Sequence, residues 1–278
     1  MSPRAGQLRA DLPGGPVLLR WTEWGPPEGA PVLCVHGLTR NGRDFDALAM
    51  ELARRGRRVL CPDMPGRGHS SWLADGALYA VPSYLAVLAP LLEALGEHDW
   101  VGTSMGGLIG MGLCATPGAR MRRLVLNDIG PFVPVAALER IRDYLSVPQR
   151  FASLDALEAY LRRVHAPFGP LSDAEWRHLA VHSARATAAG ELALHYDPAI
   201  VQPMLAPLAD LDLWALWPAV TQRPVLVLRG ESSDLLLPET AARMAESPAV
   251  RLATIPGCGH APALMEPAQI ALVADFLS

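Results

Sequence analysis

The stretch His98-Asp99-Trp100-Val101-Gly102-Thr103-Ser104-Met105-Gly106-Gly107-Leu108-Ile109-Gly110-Met111 decides how the rest of the chain is read. A short apolar run stops at glycine, a serine follows, and a second apolar run begins with helical spacing. A G-x-S-x-G turn between strand and helix holds its serine at a strained backbone position with the hydroxyl exposed. Small residues at 102 and 106 let neighbouring backbone pass close by. The N–H groups of the helix that starts here point at the serine and favour a developing negative charge. A glycine-rich packing turn is the plainer reading. The strand–turn–helix context argues against it and makes Ser104 the candidate nucleophile.

Outward from this turn, VRLATIP (250–256) reads as one more strand, and PVLCVHG (31–37), RRVLCPD (57–63), RRLVLND (122–128) and RPVLVLRG (223–230) are further apolar runs without alternation. Such runs suit parallel strands buried on both faces. Helical periodicity lies between them at 44–55, 83–95, 238–246 and 266–277. Segment 7–25 reads as a hairpin turning at Gly14-Gly15. Alternating strands and helices imply an open, mostly parallel sheet with helices on both faces. The rhythm fails between Pro131 and Trp217, where helices at 151–164 and 173–188 are expected and no buried strand is evident. The expected organisation is a core of 1–130 and 218–278 with a helical cap at 131–217.

Composition restricts the function. Half of the 278 residues are hydrophobic, 19% are charged, and the net charge is −4. No basic run suggests nucleic acid as a partner. No apolar stretch approaches the ~18 residues of a membrane span, and the N-terminus lacks the apolar segment of a secretory signal. The expectation is a cytoplasmic enzyme with a small-molecule substrate, monomeric or homodimeric. Cys34, Cys61 and Cys114 sit in apolar runs and read as buried fillers. Cys258 lies two residues before His260; space filling is its simpler reading too.

A serine nucleophile needs a base. His260 lies in the glycine-rich loop PGCGHAP after the last strand and is the candidate. His178 and His182, four apart on one helix, could ligate metal. H-E-x-x-H is absent and the sequence offers no third ligand, so a solvated helix face is preferred and neither metal nor cofactor is expected. An oxyanion hole needs two converging N–H groups. Met105, after the nucleophile, supplies one; Leu38, in the turn Val35-His36-Gly37-Leu38, supplies the other. His36, Gly37 and Trp214 are expected to touch substrate. Arg150, Arg162, Arg163, Arg177 and Arg185 of the cap are candidates to read a substrate carboxylate, each weighed against a solvated helix face.

HGLTRNGRDF, DMPGRGHS, GTSMGG, RPVLVLRG and GCGHAP, in this order, resemble the α/β-hydrolase superfamily over nearly the whole chain. The resemblance implies an eight-stranded sheet with a helical cap after strand six, and a triad whose histidine comes last. Most relatives place the acid after strand seven, where Asp234 stands, one residue beyond the common spacing. Others place it after strand six, where Asp128 stands; Asp128 is slightly favoured. The implied activity is a carboxylesterase-like serine hydrolase acting on an ester, lactone or amide. LNDIGP and RGESSD are also similar to hydrolases of an acetamido-substituted succinate. Amide or C–C hydrolysis of a dicarboxylate, a cofactor-independent dioxygenase and a ligand-binding protein on this scaffold are the alternatives.

Overall fold

A computed structural model describes residues 2–278. The continuous apolar runs fill the interior of one eight-stranded sheet, and VRLATIP forms one of its edges. Its strands are β1 (Arg4–Leu12), β2 (Gly15–Trp24), β3 (Pro31–Val35), β4 (Arg58–Asp63), β5 (His98–Thr103), β6 (Met121–Asn127), β7 (Val225–Gly230) and β8 (Val250–Ile255). Their order is β1-β2-β4-β3-β5-β6-β7-β8. β1 pairs antiparallel with β2, and β2 antiparallel with β4; every other pairing is parallel.

Side chains alternate across a strand, and successive residues of β3 accordingly enter different cores. Val32 and Cys34 join the cluster under helices α1 (Asp46–Arg54) and α9 (Pro267–Phe276). Leu33 and Val35 join the cluster under α2 (Val81–Leu95), α3 (Met105–Cys114) and α8 (Pro238–Met244). This double covering explains why these strands carry no polar alternation.

Residues 131–217 leave the sheet after β6 and return before β7. They carry α4 (Val135–Leu145), α5 (Leu154–Val164) and α6 (Asp173–Ser183), and α7 (Trp217–Val220) marks the return. Ser153 caps α5, and Ser172 with Glu175 forms a capping box on α6, satisfying first-turn N–H groups that have no intrahelical acceptor. The expected helix at 173–188 ends early. Ala184–Ala186 pairs with Leu192–Leu194, which pairs with Arg150–Phe151. These strands are too short to show a period of two in the sequence. The N-terminal hairpin also differs in detail: Leu12 pairs with Gly15, so Pro13-Gly14 forms the turn. Among the described residues, no helix is long and apolar enough to cross a membrane.

Candidate active site

Parallel strands deliver their following residues to one edge of the sheet, and the candidate residues collect there. His36 follows β3, Ser104 follows β5, Asp128 follows β6, and the loops after β7 and β8 supply Ser233 and His260.

Ser104 has φ 51° and ψ −115°, a left-handed geometry that a non-glycine residue rarely holds. Close packing enforces it. A Cβ on Gly106 would lie 1.9 Å from the Val35 carbonyl oxygen, and one on Gly102 would lie 2.4 Å from that of Gly106. The Ser104 N–H donates to the Asn127 carbonyl at 3.0 Å, which fixes the turn to the neighbouring strand.

His260 Nε2 lies 3.0 Å from Ser104 Oγ, and His260 Nδ1 lies 2.7 Å from Asp128 Oδ2. Asp128 is fully buried and has φ 56°. Its Oδ1 accepts from the Gly230 N–H at 2.8 Å. Its Oδ2 also accepts from the Ser233 hydroxyl at 2.6 Å and the Ala261 N–H at 3.3 Å. A buried carboxylate is tolerable only when bonded in this way. Asp234 stands elsewhere: it pairs with Arg140, and both side chains are about half exposed, at 56% and 48%. Of the two candidate acids, the structure joins Asp128 to the histidine and leaves Asp234 out.

The loop after β3 is held by two residues. His36 is fully buried; its Nδ1 donates to the Gly37 carbonyl at 2.7 Å and its Nε2 accepts from the Met64 N–H at 2.9 Å. Burial holds its pKa down to about 3, so the ring stays neutral. Both ring nitrogens serve the backbone, so His36 supports the loop, and it also lines the cavity described below. Arg67, fully buried, donates through Nε to the Leu38 carbonyl and through Nη1 to the Pro65 carbonyl and the Tyr84 hydroxyl; its Nη2 lies 3.5 Å from Met105 Sδ. Arg67 therefore ties together the two residues whose N–H groups are the oxyanion-hole candidates. The sequence reading missed it, because arginine in a glycine-rich turn normally reads as solvated.

Ser104 and His260 open into a cavity whose wall includes Gly37 and Leu38 of the core and Arg140, Tyr144 and His165 of the insertion. His165 is held well below the usual histidine range by burial, with the charges of Arg40 and His260 adding to it. Trp214, expected to touch substrate, is not part of the wall. It packs edge-on against Trp217 and beneath the Arg243 guanidinium, 3.8 Å from its ring centre. The five cap arginines singled out in the sequence are also outside the wall; Arg162 and Arg177 pair with acidic residues of the insertion. The cavity's arginines are Arg40 and Arg140 instead.

Two further expectations change. Asp46 joins His178 and His182, with one donor atom of each within 4.8 Å of the others. The Asp46 carboxylate is already gripped by Arg43 at 2.8 and 3.0 Å, and His178 Nε2 donates to the Arg43 carbonyl at 2.9 Å. The histidine pair thus packs on the core and is not a solvated helix face. All four cysteines are free and buried. Burial raises the Cys258 thiol pKa, and its sulfur lies 3.5 Å from the Phe168 carbonyl oxygen, outside the cavity wall.

A hydroxyl, an imidazole and a buried carboxylate in series can generate a nucleophile without a metal ligand set. Known proteins share this architecture. A model of the alpha/beta hydrolase family matches residues 32–274. The chain is 42% identical to the 3-hydroxybutyrate-oligomer hydrolase of Cupriavidus necator, covering 100% of this chain and 98% of that protein. It is 28% identical to the 2-(acetamidomethylene)succinate hydrolase of Mesorhizobium japonicum, over 91% of this chain and 87% of that one. An alpha/beta hydrolase from Novosphingobium aromaticivorans superposes with a TM-score of 0.89 at 38% identity, covering 100% of this chain and 99% of its own. The chain belongs to the alpha/beta hydrolase family and is a hydrolase.

Proposed function

We propose that the protein hydrolyses carboxylic esters through an acyl-enzyme on Ser104, with short oligomers of a 3-hydroxy acid such as 3-hydroxybutyrate as its substrate class. The observation that carries the reading is the continuous hydrogen-bonded series from Ser104 Oγ through His260 to Asp128 Oδ2, at 3.0 and 2.7 Å, opening into the cavity. The name of the full-length relative from Cupriavidus necator supports the substrate class.

In the first half-reaction, His260 Nε2 takes the Ser104 proton as Oγ attacks the ester carbonyl. Asp128 holds the Nδ1–H tautomer and stabilises the imidazolium. The oxyanion faces the Met105 and Leu38 N–H groups. Met105 is the first residue of α3, where backbone N–H groups lack intrahelical acceptors and the helix dipole favours negative charge. His260 then protonates the departing alkoxide, which leaves as a 3-hydroxy acid. Water, deprotonated by the same imidazole, clears the acyl-enzyme.

The test is hydrolysis of the 3-hydroxybutyrate dimer and trimer, and of p-nitrophenyl butyrate, by wild type, Ser104→Ala and Asp128→Asn. Ser104→Ala should lose about 10⁴- to 10⁶-fold in kcat, and Asp128→Asn about 10⁴-fold through the wrong histidine tautomer. Wild-type inactivity on every ester, or turnover that survives in Ser104→Ala, would remove this reading and direct attention to amide substrates.

A further inference from the structure

The cavity wall carries few charged side chains. Arg40 and Asp44 lie in it and neutralise one another, with Arg40 Nε and Nη2 each donating to the Asp44 carboxylate at 2.8 Å. Arg40 is almost wholly buried, so that pair is fixed. Arg140, on α4, is different. It contributes to the wall, is half exposed, and its partner Asp234 is not a wall residue.

The geometry of that partnership resembles a ligand contact. Arg140 Nη2 donates to Asp234 Oδ1 at 2.9 Å, and Arg140 Nε lies 2.9 Å from Asp234 Oδ2. This is the two-pronged arrangement by which a guanidinium reads a planar carboxylate. The contact spans two separate parts of the chain, the insertion helix and the loop after β7. With both side chains in water, such a pair contributes little to stability and exchanges readily for another carboxylate. Asp234 is anchored only through its backbone neighbours: Ser233, next to it, is committed to Asp128, and Arg229 grips the loop through the carbonyls of Glu231, Ser233 and Leu236.

From these observations we infer that Arg140 is the binding site for the free carboxylate of the substrate, with Asp234 standing in for that carboxylate until substrate displaces it. The inference rests on the ester-hydrolase reading and narrows it. In an oligomer of a 3-hydroxy acid, the scissile ester lies one short repeat from the terminal carboxylate. Ester carbonyl at Ser104 and carboxylate at Arg140 place the acidic end at the mouth of the cavity and the acyl group inside. The protein would then remove units from the acidic end of short, water-soluble oligomers, and a blocked carboxylate would cost it affinity.

The experiment compares the 3-hydroxybutyrate dimer as its free acid and as its methyl ester, in wild type, Arg140→Gln and Asp234→Asn. The readout is the ratio of kcat/KM for acid over methyl ester. Loss of a bidentate charge-assisted contact should lower that ratio by ~10- to 100-fold in Arg140→Gln, mostly through KM. Asp234→Asn, which removes the competing carboxylate, should raise it, and the wild-type ratio should fall as salt is added. Binding of free 3-hydroxybutyrate, followed by calorimetry, should weaken in Arg140→Gln and tighten in Asp234→Asn; this arm does not depend on turnover. An unchanged ratio in Arg140→Gln, or calorimetry that does not distinguish the variants, overturns the carboxylate site. Wild-type failure on both esters overturns the ester-hydrolase reading instead, and the calorimetry still decides whether Arg140 holds a carboxylate.

Discussion

Ser233 shows how much one hydroxyl can carry. Its Oγ donates to Asp128 Oδ2 at 2.6 Å and accepts from the N–H groups of Leu235 and Leu236 at 3.2 and 3.1 Å. It lies beside the residue that the family resemblance nominates as one possible acid. Replacing it with alanine leaves a buried carboxylate one donor short, which costs about 1.5–3 kcal/mol for a bond to a charged group. Ser233→Ala should melt several degrees lower. Its pH profile for ester hydrolysis should shift as well, since Asp128 is held less firmly against His260. A lower melting temperature with an unmoved profile would confine Ser233 to stability. Spacing favoured Asp128 over Asp234 in the sequence only slightly, for a related reason. Spacing places both after strand ends, but which one turns inward depends on Arg229 and Ser233 folding the loop after β7, and nothing local encodes that.

At the level of elements, what could be read in advance and what could not separate cleanly by burial. Strands β3 to β7 were legible because a strand covered on both faces must be continuously apolar; β8, at the sheet edge, is only partly buried and was read from its place after the preceding helix. The serine turn was legible because its geometry demands glycine. Gly106 tests that demand directly. With the Val35 carbonyl 1.9 Å from any added Cβ, Gly106→Ala must push backbone against backbone, so a loss of about 3 kcal/mol or more is expected. Urea unfolding would measure it, and a stability within 0.5 kcal/mol of wild type would show that the turn can relax. The short strands of the insertion were not legible, since two or three residues carry no periodicity. Arg67 was hidden for the opposite reason: its burial depends on Leu38, Pro65 and Tyr84 arriving from distant parts of the chain.

Across the whole molecule, buried and half-buried histidines contribute to the response to acid. Burial lowers the pKa of His36 to about 3; it also lowers those of His182 and His195 to about 4, with nearby positive charges adding to the effect for these two. Unfolded, each takes up a proton near pH 6.5. Below that value the unfolded chain binds protons that the folded chain refuses, so stability falls as pH falls. The decline runs from pH 6.5 to about 4 for His182 and His195 and continues to about 3 for His36. For the fully buried His36 this is on the order of 1 kcal/mol per pH unit within its window; His182 and His195, only partly buried and screened by solvent, contribute less. Thermal melts at pH 7.5, 6 and 4.5 should therefore show a progressive fall, and His195→Gln should flatten it. A melting temperature constant over that range would mean that these rings are protonated in the folded chain.

The loop bearing His260 is sewn to the insertion. The Gly259 N–H donates to the Pro167 carbonyl at 2.8 Å, and the Ala263 N–H donates to the Phe168 carbonyl at 3.2 Å. These stitches lie on either side of the imidazole. Any motion that lifts residues 167–168 away from the sheet pulls on both and loosens the ring from Ser104 and Asp128. On the proposed ester-hydrolase reading, residues 167–168 and the base are mechanically one part: an opening that draws these residues off the sheet also disarms the serine, which then meets bulk water with no base to sharpen it against whatever drifts past.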